Sequence, residues 1–97
     1  MIYVIARMEL NEGCKDAMLA VLEKTVPLVL SEEGCIMYTP CLDVEEDKSE
    51  KFLTIVEAWK DRDVHRAHLA APHMAEFREA VKDLRKGCQV EIIAPAL

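Results

Sequence analysis

The sequence predicts an α+β fold, a single domain over residues 1–97, with the element order β-α-β-β-α-β. Three observations carry this reading. Residues 2–10, IYVIARMEL, alternate with period two. Residues 14–32 place apolar side chains at helical spacing. A strand ending in Trp59 then runs through Asp61 into helical sequence that breaks at Pro72. At 52% apolar and 31% charged residues, the chain has the composition of a folded domain rather than a disordered one.

Taken in order, the first strand sets Ile2, Val4, Ala6, Met8 and Leu10 on one face and Tyr3, Ile5, Arg7 and Glu9 on the other. Asn11-Glu12-Gly13 turns into the first helix, which carries Cys14, Met18, Val21, Leu22, Thr25, Val26 and Val29 inward. Pro27 is expected to kink this helix or split off its last turn, and Gly34 to cap it in the left-handed conformation. Residues 35–43 read as the second strand and the charged run 44–50 as a solvated loop. In the third strand, 51–59, Phe52, Thr54, Val56 and Ala58 line one side and Leu53, Ile55, Glu57 and Trp59 the other. Helical sequence runs from Asp61 to about Leu84, with Pro72 at the first position of its second segment, where a missing N–H costs little. Lys86-Gly87 reads as a turn and Gln89–Ile93 as the last strand.

This order is that of a ferredoxin-like sandwich, in which the helices cover one face of the sheet. The first and third strands are apolar on both faces, so the second face demands a cover. Two sheets packed face to face in a homodimer satisfy that demand with the commonest oligomer symmetry.

Composition also excludes. A net charge of −6 argues against nucleic acid as a partner and mildly against heavily phosphorylated substrates, for which Arg62, Arg66 and Arg78 nevertheless offer a local basic patch. No apolar run reaches the ~20 residues of a membrane span. Arg7 and Glu9 interrupt the first apolar stretch, which therefore does not read as a signal peptide. The expected location is cytoplasmic. Cys14, Cys35, Cys41 and Cys88 form no CxxC pair or zinc-ribbon spacing and read as free thiols. Cys14, beside a helix start, is the candidate for reactivity.

All three histidines lie within nine positions, His65, His68 and His73. Histidine exchanges protons near neutral pH, which makes this cluster the candidate site. The residue pattern leaves several readings open. His65 is expected to face solvent. Trp59 serves either core packing or as a stacking surface. Tyr38 is either a site residue or a core cap with its hydroxyl in water. Glu57, on an apolar strand, is expected to pair with Arg7 or another cation. His65 and His68 are spaced to share a metal, yet no HExxH or carboxylate-rich set accompanies them, so no metal is expected.

Four segments carry a family resemblance: YVIARMEL with the Gly13 turn, VPLVLSEEGCIMYTP, VEAWKDRDVHRAHLAAPHMAEFREAVK and the terminal IIAPAL. The chain resembles the antibiotic biosynthesis monooxygenase superfamily of dimeric α/β-barrel proteins, and within it the bacterial quinol monooxygenase branch. The resemblance implies an oxygenase without metal, flavin or haem that oxidises a quinol or polyphenol with O2. It implies a pocket between sheet and helices, with His68 or His73 as catalytic base and with Tyr38, Trp59, Met74 and Phe77 against the substrate. Met18 and Met37 join Met74 as expected pocket walls. Haem-degrading relatives carry Asn, Trp and His where this chain has Ala6, His68 and Phe77, which argues against haem chemistry. Two alternatives stand beside this reading: proton transfer on a small carbonyl compound, and a dimeric protein that binds a small molecule without turnover.

Overall fold

A computed structural model describes residues 1–97. Four strands, β1 (Ile2–Leu10), β2 (Cys35–Leu42), β3 (Phe52–Trp59) and β4 (Arg85–Ile93), form one antiparallel sheet in the order β2-β3-β1-β4. The helices are α1 (Lys15–Leu30), a short α2 (Glu46–Ser49), α3 (Arg62–Leu69) and α4 (Pro72–Val81). The arrangement is a ferredoxin-like α+β sandwich.

Alternation sets the inner face of the sheet. Val4, Ala6, Met8 and Leu10 of β1 are buried together with Leu53, Ile55, Glu57 and Trp59 of β3. The register places Val4 opposite Glu57 and Met8 opposite Leu53. Against this face α1 lays Met18, Leu22, Thr25 and Val29, and α4 lays Met74, Phe77 and Val81. These spacings are one helix stripe each. The Thr25 hydroxyl donates to the Val21 carbonyl at 3.0 Å, so its burial leaves no unpaired donor.

Several local expectations change. Pro27 does not split α1, which runs through it to Leu30. Fully buried Val29 anchors that last turn to the core. Ser31, not Gly34, is the C-cap. Gly34 instead turns the chain into β2 with φ +81°, and a Cβ there would lie 2.7 Å from a Val64 methyl. The charged run 44–50 contains α2, an exposed single turn. Lys86-Gly87 is not a turn: β4 begins at Arg85, Gly87 pairs with Glu9, and Leu10 pairs with Arg85. The extra residue is taken up as a bulge, which an edge strand tolerates.

The outer face of the sheet carries Tyr3, Ile5, Phe52 and Val56, all partly exposed, and Ile93, which is 50% exposed. No helix covers them. The helices also stop short of β4, whose inward Val90 and Ile92 stay exposed. That shortfall opens a cavity between sheet and helices. No helix is long and apolar enough to cross a membrane.

Candidate active site

The cavity has a volume of about 350 Å³ and mostly apolar walls. Its polar lining comes from Tyr38, Glu57, His65, His68, Arg78 and Arg85. Local sequence explains each placement. The Asp61 side chain accepts the Val64 N–H at 3.0 Å and starts α3. Three residues apart on the two-turn helix, His65 and His68 both turn inward and are 4% and 2% exposed. His65 therefore does not face solvent; the exposed side of α3 carries Asp63 and Arg66, paired at 3.2 Å. After α3 the chain breaks at Ala71, and Pro72 begins α4, which brings Met74 and Phe77 into the wall. Register pairs Tyr38 with Glu57, so both point into the cavity.

Trp59 is fully buried and does not line the cavity. It is the wall behind the histidines: its ring lies 4.6 Å from His68 and 5.8 Å from His65. Its indole N–H donates to Glu57 Oε1 at 2.8 Å. Glu57 is not paired with Arg7. The two side chains leave opposite faces of the sheet, and Arg7 bonds Thr54 and Asp43 on the outer side. Burial pushes the Glu57 carboxyl up to about 7; Glu32 adds to this and the Trp59 bond opposes it. A carboxyl poised there is a candidate proton donor or acceptor.

His68 Nδ1 lies 2.8 Å from Glu32 Oε2, and His73 Nε2 lies 2.9 Å from the same oxygen. Burial lowers the His68 pKa, and the Glu32 hydrogen bond offsets only part of this. Neutral His68 therefore donates Nδ1–H to the carboxylate, which fixes the tautomer and leaves the Nε2 lone pair free on a ring that lines the cavity. The His65 pKa is also lowered, by burial and by His68. Tyr38 meets the His68 ring edge-on at 5.7 Å, and burial raises its phenol pKa well above the usual range. Arg78 and Arg85 have no carboxylate partner; Arg78 donates to the Leu69 carbonyl and Arg85 approaches Met8 Sδ.

Of the residues expected at the site, the structure brings His68, Tyr38, Met74 and Phe77 to the cavity. His73 lies outside it, in a groove between α1 and α4, and reaches the site only through Glu32. Met18 is sealed in the core, and Met37, opposite Ala58, belongs to the outer face of the sheet. Neither is a pocket wall. Sequence reasoning missed Glu32, His65, Arg85 and the acid role open to Glu57, and it placed Arg78 only in a basic patch with Arg62 and Arg66. The helical spacing of His65 and His68 was a usable signal for the second of these. Glu32, 36 residues from His68, left none.

The family profile of the antibiotic biosynthesis monooxygenases matches residues 1–80. The chain belongs to the antibiotic biosynthesis monooxygenase family. It is 32% identical to a protein of Escherichia coli described as "Probable quinol monooxygenase YgiN", over the whole of both chains. The Shigella flexneri protein of the same description matches equally. Among solved structures it resembles Rv0793 from Mycobacterium tuberculosis, with a TM-score of 0.87 at 25% identity over 99% of this chain and 95% of that one. PA3566 from Pseudomonas aeruginosa superposes with a TM-score of 0.84 at 21% identity, over 99% and 94% of the two chains, which supports the fold. As a member of the quinol-monooxygenase-like branch of this family, the chain is an oxidoreductase of monooxygenase type.

The cavity brings together apolar walls, one imidazole nitrogen without a hydrogen-bond partner, one carboxyl near neutrality and two guanidinium groups without a carboxylate partner. A separate cluster, Glu32, His68 and His73, has the donor types of a metal site, with ligand atoms within 4.8 Å of one another. It meets the cavity only through the His68 ring.

Proposed function

We propose that the chain is a cofactor-independent monooxygenase that oxidises a quinol or related polyphenol with O2. The observation that carries this reading is His68, held by Glu32 at Nδ1, with Nε2 left without a hydrogen-bond partner on a ring that lines an apolar cavity. His68 takes one quinol proton and becomes an imidazolium stabilised by the Glu32 carboxylate. The quinolate, its charge favoured by Arg78 and Arg85, gives one electron to O2. The resulting semiquinone and superoxide combine at a ring carbon and form a C–O bond. Loss of the ring hydrogen and cleavage of the O–O bond release the second oxygen as water, for which Glu57 supplies a proton. The quinol gives all four electrons: quinol plus O2 yields hydroxyquinone plus water. No external reductant enters the balance.

Tyr38, Met74 and Phe77 shape the slot for the ring, Trp59 backs the base, and His73 positions Glu32. Two copies of the chain pair through the outer sheet face of Tyr3, Ile5 and Val56, whose exposure in one protomer is the support for a homodimer.

The pair of a free imidazole nitrogen and a carboxyl near neutrality also suits proton transfer on a carbonyl compound. Turnover under ¹⁸O2 separates the two. The oxygenase places one label in the hydroxyquinone and one in water; unlabelled product formed without O2 use would replace this reading with the isomerase.

A further inference from the structure

We infer that Glu32, His68 and His73 form a binding site for a divalent transition-metal ion of the zinc type, and that metal there switches off His68 as a base. The switching half rests on the function proposed above; the binding half does not.

Three separate elements deliver the ligands. Glu32 lies in the turn after α1, His68 in the last turn of α3 and His73 in the first turn of α4. Both imidazoles address one carboxylate oxygen, at 2.8 and 2.9 Å, and all three donor atoms lie within 4.8 Å of one another. In a tetrahedral zinc site with bonds of roughly 2.0–2.1 Å, ligand atoms stand about 3.3 Å apart. The two distances from Glu32 reach that spacing by opening about half an ångström, and the two imidazole nitrogens, within 4.8 Å of one another, need only close toward it. Two imidazoles and one carboxylate suit zinc, cobalt, nickel or copper, not magnesium or calcium, which take oxygen ligands. The side chains of Glu32 and His73 are 15% and 22% exposed, so an ion enters from that side and completes its shell with water.

The ring of His68 links the cluster to the cavity. Without metal, Nδ1 carries the proton and Nε2 the lone pair. An ion coordinated at Nδ1 requires that lone pair, so the proton moves to Nε2. The atom facing the substrate then donates instead of accepting. The ion never touches the substrate; it removes the base by fixing the other tautomer.

The test uses tag-free, chelator-stripped full-length protein, titrated calorimetrically with Zn²⁺ alone, beside Glu32→Gln and His73→Gln. Far-UV circular dichroism establishes that both variants fold. One equivalent is expected to bind wild type, and at least ~10-fold more weakly to either variant. Nitrogen-15 spectra of the imidazoles should show the His68 proton pass from Nδ1 to Nε2. Co²⁺ in place of Zn²⁺ should give ligand-field bands without thiolate charge transfer. Equal binding by all three proteins, no binding, or a thiolate signature from the free cysteines overturns the site. Oxygen uptake with a quinol, if present, should fall with the same Zn²⁺ dependence. Undiminished uptake at saturating Zn²⁺ overturns the switch. Binding with the tautomer change, in a protein that oxidises no quinol, supports the site and defeats the functional reading instead.

Discussion

Glu57 accepts the indole N–H of Trp59, two residues further along the same face of β3, at 2.8 Å. The indole thus holds one carboxyl oxygen of a buried acid while its ring supports His68 from behind. One side chain outside the cavity organises two groups that line it. The relation explains how Glu57 is tolerated on an apolar strand without a cation: burial raises its carboxyl to about 7, so it is partly protonated near neutrality, and its charged form keeps one fixed hydrogen bond from a neutral donor.

Trp59→Phe removes that donor and leaves a buried carboxyl oxygen without its partner. The bond lowers the Glu57 pKa, so its loss should drive the pKa above the present value of about 7. Stability should fall by about 1–3 kcal/mol. Carbon-13 titration of the carboxyl and urea unfolding measure both effects; an unchanged or lowered pKa would contradict the assignment.

The pH dependence of stability has a definite sign for Glu57. Its folded pKa, about 7, stands above the unassociated value of 4.5. The folded state therefore binds more protons between these pH values, and stability is lost as pH rises through the window. Glu57→Gln removes the titration. The variant's stability relative to wild type should rise by roughly 2–3 kcal/mol between pH 5 and pH 8. Urea unfolding at both pH values reads this difference directly, and a constant gap would refute it.

Gly34→Ala introduces two faults at once, a side chain at φ +81° and a Cβ 2.7 Å from Val64. Destabilisation of about 2–4 kcal/mol is expected. Trimming Val64 to Ala in the same chain removes the two methyls at 2.7 and 2.8 Å but keeps the Val64 Cβ at 2.9 Å, so it should relieve part of the clash and none of the backbone strain. A double-mutant cycle by chemical denaturation should therefore show favourable coupling, and strict additivity would place the cost in the backbone and the remaining Cβ contact.

Ile5→Lys puts a charge at the middle of β1 on the uncovered sheet face. The proposed paired-sheet homodimer should dissociate, and sedimentation should report a folded monomer. A variant that sediments as wild type does would remove this face from the interface.

Alternation made the fold legible, because a period of two needs no partner to be read. The same alternation held the answer about Arg7 and Glu57. Arg7 shares a face with Tyr3 and Ile5, Glu57 with Leu53 and Trp59; deciding that these faces are opposite requires the register of β1 on β3, with Val4 against Glu57. The inward place of His68 and the break at Pro72 were readable because helix spacing and a break are local. The partner of His68 was not. Glu32 comes from the turn after α1, and only packing of α1 beside the α3–α4 break brings it within 2.8 Å. The bulge at Lys86 was hidden for a related reason: Lys-Gly is a turn signal in isolation, and the long pairing with β1 overrides it.

We propose His68 as the base of a metal-free oxidation. The most direct test of this assignment is oxygen consumption by the chelator-stripped protein with reduced naphthoquinols and benzoquinols, corrected for autoxidation, for wild type and His68→Gln. The expected result is saturable uptake by wild type that falls about 100-fold or more in the variant, with KM little changed. Uptake by His68→Gln equal to that of wild type, or none by wild type with any quinol, would contradict it.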